Sequence, residues 1–348
     1  MRPVAIGTRR VGDGHPCYVI AEAGSNHNRD LDTARRLIDV AAAAGADAVK
    51  FQTYSGRSLY STKTPSFDYL AGLTDQSPGQ LLESISLPRE WQPILAEHCR
   101  SQGVEFLSSP FDLEAVDQLD ALGVPAFKIA SFELVDLPFL REVGKRGKPV
   151  IVSTGMATLG EIEEAIAAAA DGGATDIVLL QCASLYPAPP HIINLRAMAT
   201  MKAAFGVPVG LSDHTLGIHV AVASVAAGAD MIEKHYTLDR SHPGPDHGFA
   251  IEPDELVALV RQVRDVEAAM GDGMKRGPTP EESVEMYAKA RRSLVAAVAI
   301  PTGTRITRKM LTVKRPGHGI KPKFVDAVVG RTATVDIDED EILTWEMV

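Results

Sequence analysis

Two histidines occupy matching places in one stretch of the chain, PVGLSDHTLGIHVAVASVAAGADMIEKHY. PVGLSDH predicts a buried strand that ends at His214, a small-residue helix follows, and MIEKHY predicts a second strand that ends at His235. Such a strand, helix and strand are joined by a right-handed crossover, so both imidazoles should lie at the carboxyl ends of neighbouring parallel strands. They could bind one metal ion, with Asp213, Asp239 or Asp246 nearby. Two unrelated polar strand ends are equally compatible with this stretch.

Three lysines lie inside or at the end of apolar strand patterns: Lys50, Lys128 and Lys234. Lysine is rarely buried unless it is paired. An ion pair with a neighbour such as Glu22 or Glu233 would explain each lysine singly. The three together, beside several serine hydroxyls, favour a site for an anion of phosphate or carboxylate size.

Eight short apolar runs recur along the chain, and amphipathic segments that end in glycine separate most of them. The runs are residues 18–24, 46–52, 104–110, 126–131, 149–155, 177–182, 208–214 and 231–236. Eight alternations of strand and helix predict a closed (β/α)₈ TIM barrel. Because active sites in such barrels lie at the carboxyl ends of the strands, the histidines, lysines and serines should share one rim.

The rest of the chain divides by composition. We predict a catalytic barrel over 1–270, a linker rich in glycine, proline and charge over 271–290, and a small β-rich domain over 291–348. The segment 53–87, rich in Ser, Thr, Gly and Pro, interrupts the barrel after its second strand. A long loop at the catalytic face is a candidate lid, and a surface excursion without a role is the alternative.

Composition narrows the function classes. The 348 residues are 45% hydrophobic, and no apolar run approaches the about 20 residues of a membrane helix, so we expect a soluble protein without membrane partners. A formal charge of −10 argues against nucleic acid as a partner. Three cysteines, Cys17, Cys99 and Cys182, do not favour disulfides and predict a reducing cytoplasm.

Short motifs carry a family resemblance along nearly the whole chain. AEAGSNHN, KFQ, KIAS, STGM, GLSDHT, EKHYTLDR and GPD occur in that order, and KRPGHGI follows in the tail. With these motifs the sequence resembles the sialic acid synthases, which are phosphoenolpyruvate-dependent nonulosonate synthases with a small C-terminal SAF (antifreeze-like) domain. KIASFELVDLP, LSDHTLGIHV and RPGHGIKPKF are most similar to the pseudaminic acid synthases, whereas PGPDH is closer to the neuraminate and legionaminate branches.

The resemblance implies a reaction: phosphoenolpyruvate condenses with the open-chain aldehyde of a 2-acetamido sugar, giving a nine-carbon 2-keto acid and phosphate. It implies that His214 and His235 bind a divalent metal, Mn²⁺ first, with Mg²⁺ or Co²⁺ as alternatives. Glu22 would handle a proton beside the reacting carbons. The resemblance also implies a domain-swapped homodimer, in which Arg315 of one subunit's tail reaches the sugar in the other subunit's barrel.

The resemblance further implies which side chains bind the two substrates. They are Lys50, Ser109, Lys128, Ser131, Ser153, Ser184, Tyr186, Ser212, Asp246 and Arg315. Ser109 stands where some members of the family have threonine, which keeps the hydroxyl. Ser184 stands where the neuraminate branch has asparagine, and this departure argues against N-acetylmannosamine as the sugar.

Two other functions remain open at the level of sequence. A Schiff-base aldolase would use Lys128 or Lys50 to attack a keto donor, and lysines at barrel strand ends suit that chemistry. The histidine pair argues against it, because such an aldolase needs no metal ligands. An ice- or glycan-binding module carried on an inactive barrel is the second alternative, and it needs neither the lysines nor the histidines.

Overall fold

The computed structural model describes residues 2–65, 76–282 and 284–348. The chain forms two compact units, one that ends at Gly271 and one that begins at Asp272. Part of the predicted lid, residues 66–75, lies outside the described residues. No helix in the described part of the chain is both long and apolar enough to span a bilayer.

The first unit is a parallel barrel preceded by an antiparallel hairpin of β1 (Val4–Ile6) and β2 (Arg9–Val11). Its strands are β3 (Tyr18–Glu22), β4 (Ala48–Thr53), β5 (Glu105–Pro110), β6 (Phe127–Ile129), β7 (Val150–Ser153), β8 (Ile177–Cys182), β9 (Val209–Asp213) and β10 (Met231–His235). Hydrogen bonds join these eight strands in the order β5-β4-β3-β10-β9-β8-β7-β6, and β5 also lies beside β6. The predicted TIM barrel is therefore confirmed.

Helices connect and cover the strands. They are α1 (Leu31–Ala44), α2 (Gly56–Leu59), α3 (Pro78–Ile85), α4 (Gln92–Gln102), α5 (Leu113–Leu122), α6 (Leu137–Gly144), α7 (Leu159–Gly172), α8 (Ala197–Phe205), α9 (His219–Ala226) and α10 (Pro253–Met270). The first of them shows how the sequence sets the ends: the Asp30 side chain accepts the Thr33 N–H at its start. At its end Gly45 adopts φ 80°, a left-handed conformation that glycine enters without steric cost.

Alternation along the strands divides the barrel interior into an apolar floor and a polar mouth. Tyr18 and Ile20 of β3 and Met231 of β10 belong to an apolar cluster at the amino-terminal end, to which the hairpin also contributes. Side chains two residues apart lie on the same face of a strand. Glu22 and Glu233 therefore face the same interior, one step nearer the carboxyl ends.

The second unit contains α11 (Val284–Ala290), an antiparallel pair of β11 (Ser293–Ala296) and β12 (Leu311–Lys314), and α12 (Val325–Val328). Its core is a separate apolar cluster that includes Leu294, Ile306 and Leu343. The helix α11 lies within the segment 271–290 that the sequence predicts as a linker. Elsewhere, Cys17, Cys99 and Cys182 are free and buried thiols in the barrel unit.

Glycines let α6 and α7 pack with their backbones in contact. A Cβ added at Gly144 would lie 2.2 Å from the carbonyl oxygen of Ala169, and one added at Gly172 would lie 2.2 Å from that of Arg141. These helices follow β6 and β7, which carry Lys128 and Ser153 to the mouth. Close packing of α6 against α7 therefore fixes the helices that lie outside β6 and β7, the strands that carry two of the predicted anion-binding residues.

We expect Gly172→Ala to lower the free energy of unfolding by about 1–3 kcal/mol, the usual cost of overpacking, because the backbone carbonyl it meets cannot rotate away. The matched control is Gly160→Ala in the same helix, where the nearest atom to the added Cβ is 4.0 Å away. Alanine there should be neutral or stabilise by up to about 1 kcal/mol through helix propensity. Urea denaturation measures both, and equal stability of the two variants would contradict the packing argument.

Candidate active site

The carboxyl ends of the barrel strands bring most of the predicted site residues around one inner cavity. Its lining includes Glu22, Lys50, Ser109, Lys128, Ser131, Ser153, Tyr186, Ser212, His214 and His235. Three further residues, Gln52, Cys182 and Glu233, also line it. The strand pattern alone therefore located the rim, because one face of every strand points into the cavity.

Two lysines and two glutamates form a buried network of alternating charge. The Lys50 ammonium lies 2.7 Å from Oε2 of Glu22 and 3.8 Å from Oε1 of Glu233. It also donates to Ser109 Oγ at 3.2 Å. Lys128 lies 3.6 Å from Glu233 Oε1. Each charge is thus paired, which is the condition for burying ionised groups at tolerable cost.

Hydroxyl groups complete the surroundings of this network. Lys128 donates to Ser153 Oγ at 2.8 Å. The Ser212 hydroxyl donates to Oε1 of Glu233 at 3.3 Å. On the other side, the Gln52 amide donates to Oε1 of Glu22 at 2.8 Å. The cavity therefore offers cationic and hydroxyl donors together, as an anionic ligand requires.

The network shifts the pKa values of its members in opposite directions. Burial raises the pKa of Glu22, and the nearby Glu233 raises it further against the opposing charge of Lys50. For Glu233, burial is outweighed by Lys128 and Lys50, so its pKa lies below the ordinary value. Burial lowers the pKa of Lys128, although Glu233 opposes the shift. Glu22 is thus the carboxylate of this cavity that is best suited to gain and lose a proton.

Glu233 lies at the centre of the network; the sequence named it as a possible ion-pair partner of the lysines but not as a residue of the predicted site. Its Oε2 is buried without a hydrogen-bond partner, while Oε1 meets two lysines and a serine. The signal that could have found it is strand alternation, since Glu233 precedes His235 by two residues and shares its face. Gln52, two residues after Lys50 on the same face, was likewise not included in the predicted site.

The imidazole rings of the two histidines lie next to each other on the rim, at the ends of the neighbouring strands β9 and β10. Their ring centroids are 5.5 Å apart, and the Tyr186 ring lies 4.3 Å from that of His214. Nδ1 of His214 donates to the carbonyl oxygen of Ala183 at 2.9 Å, which fixes the tautomer and leaves Nε2 free to accept a metal. Nδ1 of His235 is buried without a hydrogen-bond partner. Because each imidazole has a ring nitrogen without a hydrogen-bond partner, the pair is suited to bind one divalent ion.

Of the three aspartates that the sequence placed near the pair, Asp246 is the one beside it, with Oδ2 at 3.9 Å from His235 Nδ1. Asp213 instead pairs with Lys234 at 2.8 Å. Asp239 accepts the N–H and the hydroxyl of Ser241. Lys234 does not line the cavity, so the prediction that all three lysines serve one anion site is wrong for that residue.

The chain offers few ligands for a metal ion beside His214 and His235. Within the described ranges, no group of three or more His, Cys, Asp or Glu side chains is arranged to hold a metal ion. The protein would therefore supply His214 and His235, and oxygen atoms of water or substrate would complete the coordination. Imidazole suits several divalent ions, so these ligands do not select one metal.

A glycine brings two of the predicted substrate-binding serines together. The backbone N–H of Gly155 donates to Ser131 Oγ at 3.0 Å. A Cβ added at Gly155 would lie 2.3 Å from Ser184 Oγ and 2.9 Å from Ser131 Oγ. The Ser184 hydroxyl is buried and has no hydrogen-bond partner, and Ser184 is not among the residues that line the inner cavity.

An outer cleft adjoins the inner cavity and shares Gln52, Ser131, Tyr186 and His235 with it. Asp246 lines this cleft. One apolar wall comes from the segment predicted as a lid, namely Leu59, Tyr60, Pro78, Leu81, Leu82 and Ile85, and other loops add Phe111, Phe132 and Pro245. Closure of that segment stays a prediction. Arg315 belongs to the second unit, where it is exposed directly after β12.

The NeuB family profile matches residues 37–275, and the SAF domain profile matches residues 291–348. The chain belongs to the NeuB family. The predicted sialic acid synthase family, its SAF domain and its class of enzyme are thereby confirmed.

Individual relatives agree with this assignment. The chain is 44% identical over 329 residues to the N,N'-diacetyllegionaminic acid synthase of Campylobacter jejuni, covering 93% of this chain and 98% of that protein. It is 38% identical over 322 residues to the pseudaminic acid synthase of the same species, covering 92% and 93%. The crystal structure of a sialic acid synthetase from Leptospira borgpetersenii in complex with citrate superposes with a TM-score of 0.74 at 33% identity, covering 82% of this chain and 95% of that one.

We expect His214→Ala and His235→Ala to weaken Mn²⁺ binding to this NeuB-family enzyme by at least about tenfold while the barrel stays folded, because each removes one of two ligands. His98→Ala is the matched control, since His98 pairs with Asp39 on the helical layer away from the cavity. Titration with Mn²⁺ followed by electron paramagnetic resonance measures the affinity. Wild-type affinity in both site variants would remove the pair from metal binding.

Proposed function

We propose that this NeuB-family enzyme condenses phosphoenolpyruvate with the open-chain aldehyde of an acetamido sugar. The observation that carries the proposal is the buried cavity in which Lys50 and Lys128 lie among serine hydroxyls, next to the facing imidazoles of His214 and His235. In a chain of formal charge −10, this concentration of positive charge is suited to a small anion.

The anionic substrate would take over the hydrogen bonds that the lysines now make to protein acceptors. Phosphoenolpyruvate carries a phosphate and a carboxylate, and charge-assisted bonds to ammonium groups are stronger than those between neutral groups. Lys50 and Lys128 supply the charge. Ser131, Ser153 and Ser212 supply neutral donors around it.

The reaction balances with the groups in the cavity. C3 of phosphoenolpyruvate forms a bond to the aldehyde carbon, whose oxygen becomes a hydroxyl group. Water adds its oxygen to C2, and the bond between C2 and the phosphate oxygen breaks as C2 becomes a ketone. Of the two protons of the water, one ends on the new hydroxyl and one on the released phosphate. Glu22 takes one proton of that water, a role that suits a buried carboxylate with a raised pKa. A divalent metal ion held by His214 and His235, with Mn²⁺ as first candidate, would polarise the aldehyde oxygen as a Lewis acid.

For the sugar, two observations point to neighbouring branches of the family. The tail and strand motifs favour the pseudaminate branch, whereas the identity of 44% to a diacetyllegionaminic acid synthase exceeds the 38% to a pseudaminic acid synthase. Ser184, in place of asparagine, argues against N-acetylmannosamine. We propose the pseudaminate precursor as first candidate and the legionaminate precursor as second.

The assay that tests the proposal measures phosphate release from phosphoenolpyruvate with each candidate sugar in turn. We expect one equivalent of phosphate per 2-keto acid formed, loss of activity in chelator and recovery with Mn²⁺. In the same assay, Glu22→Gln should lower the rate by about 10²–10⁴, because the side chain keeps its shape but cannot accept the proton.

Other outcomes of this assay would support the rival functions. Borohydride trapping of substrate on Lys128 or Lys50, with activity that survives chelation, would establish a Schiff-base aldolase instead. Glycan binding without phosphate release from any sugar would favour a binding module.

We further propose that the active enzyme is a domain-swapped homodimer, in which Arg315 of one subunit completes the sugar site of the other. Arg315 is exposed in the second unit, and its planar, forked guanidinium is suited to bind a polar substrate group. The family resemblance of the motif KRPGHGI supports this role. A surface arginine without a role is the alternative.

Subunit complementation tests the swap. Arg315→Ala and His214→Ala chains should each be inactive alone, and their mixture should regain part of the activity, because one site of each heterodimer then combines an intact barrel with an intact tail. Subunit exchange is verified with two affinity tags. Exchange without recovered activity would mean that Arg315 acts within its own chain or has no catalytic role.

A further inference from the structure

A second buried ion pair lies directly behind the two histidines. Lys234 Nζ is 2.8 Å from Asp213 Oδ2, and the two side chains are 1% and 0% exposed. The residues are register partners on β10 and β9, and each immediately precedes a histidine, His235 or His214. Because side chains alternate along a strand, this pair points to the helix layer while the histidines point into the barrel.

Thr215 connects this ion pair to the other side of His214. Asp213 Oδ1 accepts the Thr215 N–H at 2.9 Å, and Oδ2 accepts its hydroxyl at 3.2 Å. Lys234 also donates to the carbonyl oxygen of Thr215. We call Asp213, Thr215 and Lys234 the β9–β10 clamp. These bonds hold Asp213 and Thr215, which flank His214, and Lys234, which directly precedes His235.

The two histidine rings differ in how they are oriented. The ring of His214 has its own anchor, the Ala183 carbonyl at 2.9 Å. Nδ1 of His235 has no hydrogen-bond partner, and its nearest carboxylate oxygen is 3.9 Å away on Asp246. The position of His235 relative to His214 therefore depends on the strand ends that carry them.

Stability alone does not account for the clamp. Backbone hydrogen bonds already join β9 to β10, and replacing a buried ion pair by apolar side chains of similar volume is often neutral or stabilising. What an apolar pair does not reproduce is the directional set of bonds to both backbone groups of Thr215. Metal ligands need placement within about 0.5 Å, which such bonds provide.

We propose that Asp213, Thr215 and Lys234 are positioning residues, which hold His214 and His235 at the separation that a shared metal ion requires. The inference rests on the metal site of the proposed function.

The chain offers a matched control at the opposite end of the same two strands. Asp230 directly precedes β10, and its Oδ2 accepts the N–H of Val209 at the start of β9 at 3.0 Å. Lys202 lies 2.8 Å from the same oxygen. Asp230 therefore links β9 to β10, and its ion pair with Lys202 of α8 lies at the amino ends of the strands, away from the histidines.

The experiment compares Mn²⁺ binding to the apo full-length chain and to two double variants. Asp213→Leu/Lys234→Met should fold and bind Mn²⁺ about 10–100-fold more weakly than the wild type, the usual effect of removing groups that orient metal ligands. Lys202→Met/Asp230→Leu should bind Mn²⁺ as the wild type does. The visible spectrum of bound Co²⁺ should change in the first variant and not in the second, because it reports ligand geometry.

The outcomes separate a positioning role from a structural one. Lowered thermal stability with unchanged Mn²⁺ affinity and Co²⁺ spectrum in Asp213→Leu/Lys234→Met would overturn the proposal. If that variant does not fold, Asp213→Asn decides by the same readouts, since it keeps the size and an acceptor for the Thr215 N–H. A wild type that binds Mn²⁺ no better than His214→Ala would instead refute the metal site of the proposed function, and this inference with it.

Discussion

The need to pair buried charge governs the mouth of this barrel. Glu22, Lys50, Lys128 and Glu233 are each at most 4% exposed, and an isolated charge at such a depth would be costly. Alternating signs around the network reduce that cost without removing it. A phosphate or carboxylate ligand would add a further negative charge to the cavity. The glutamate and serine oxygens that now accept hydrogen bonds from the lysines keep the ammonium groups in position until the ligand takes over those bonds.

The apolar floor makes this arrangement possible. Tyr18 and Ile20 fill the barrel interior on the amino-terminal side of Glu22, so the Glu22 carboxylate cannot move deeper into the barrel and away from its partners. Close packing of that floor keeps the strands in register, and register decides which side chains reach the cavity. A slip of one residue in β10 would bring Lys234 inside in place of His235. The chemistry of the mouth is thus coupled to packing at the other end of the barrel.

Much of this architecture follows from sequence pattern, because a strand in a parallel barrel leaves a continuous apolar run and ends at its polar residues. His214 and His235 were located in that way, and the family assignment follows from motifs spread over the chain. The sequence named Glu22 and Glu233 as possible partners of the lysines, and both form ion pairs with them, but it did not predict which lysine pairs outside the cavity. Asp213 and Lys234 lie next to the site in sequence but face the other side, and Glu233, expected only as an ion-pair partner, contacts both lysines inside the cavity. Such choices depend on neighbours from other strands, which sequence spacing does not specify.

A metal site with two imidazole ligands depends on geometry more than a richer ligand set does. Among the described residues no third His, Cys, Asp or Glu completes a cluster with His214 and His235, so each histidine would carry a large share of the affinity at the proposed metal site. Such a ligand set would leave open coordination positions, and the proposed Lewis-acid role requires them because a substrate oxygen has to reach the ion. Weak binding of the metal ion and open coordination positions on it would therefore both follow from having two protein ligands. A rigid support behind the histidines, such as the proposed β9–β10 clamp, would strengthen metal binding without filling the open coordination positions.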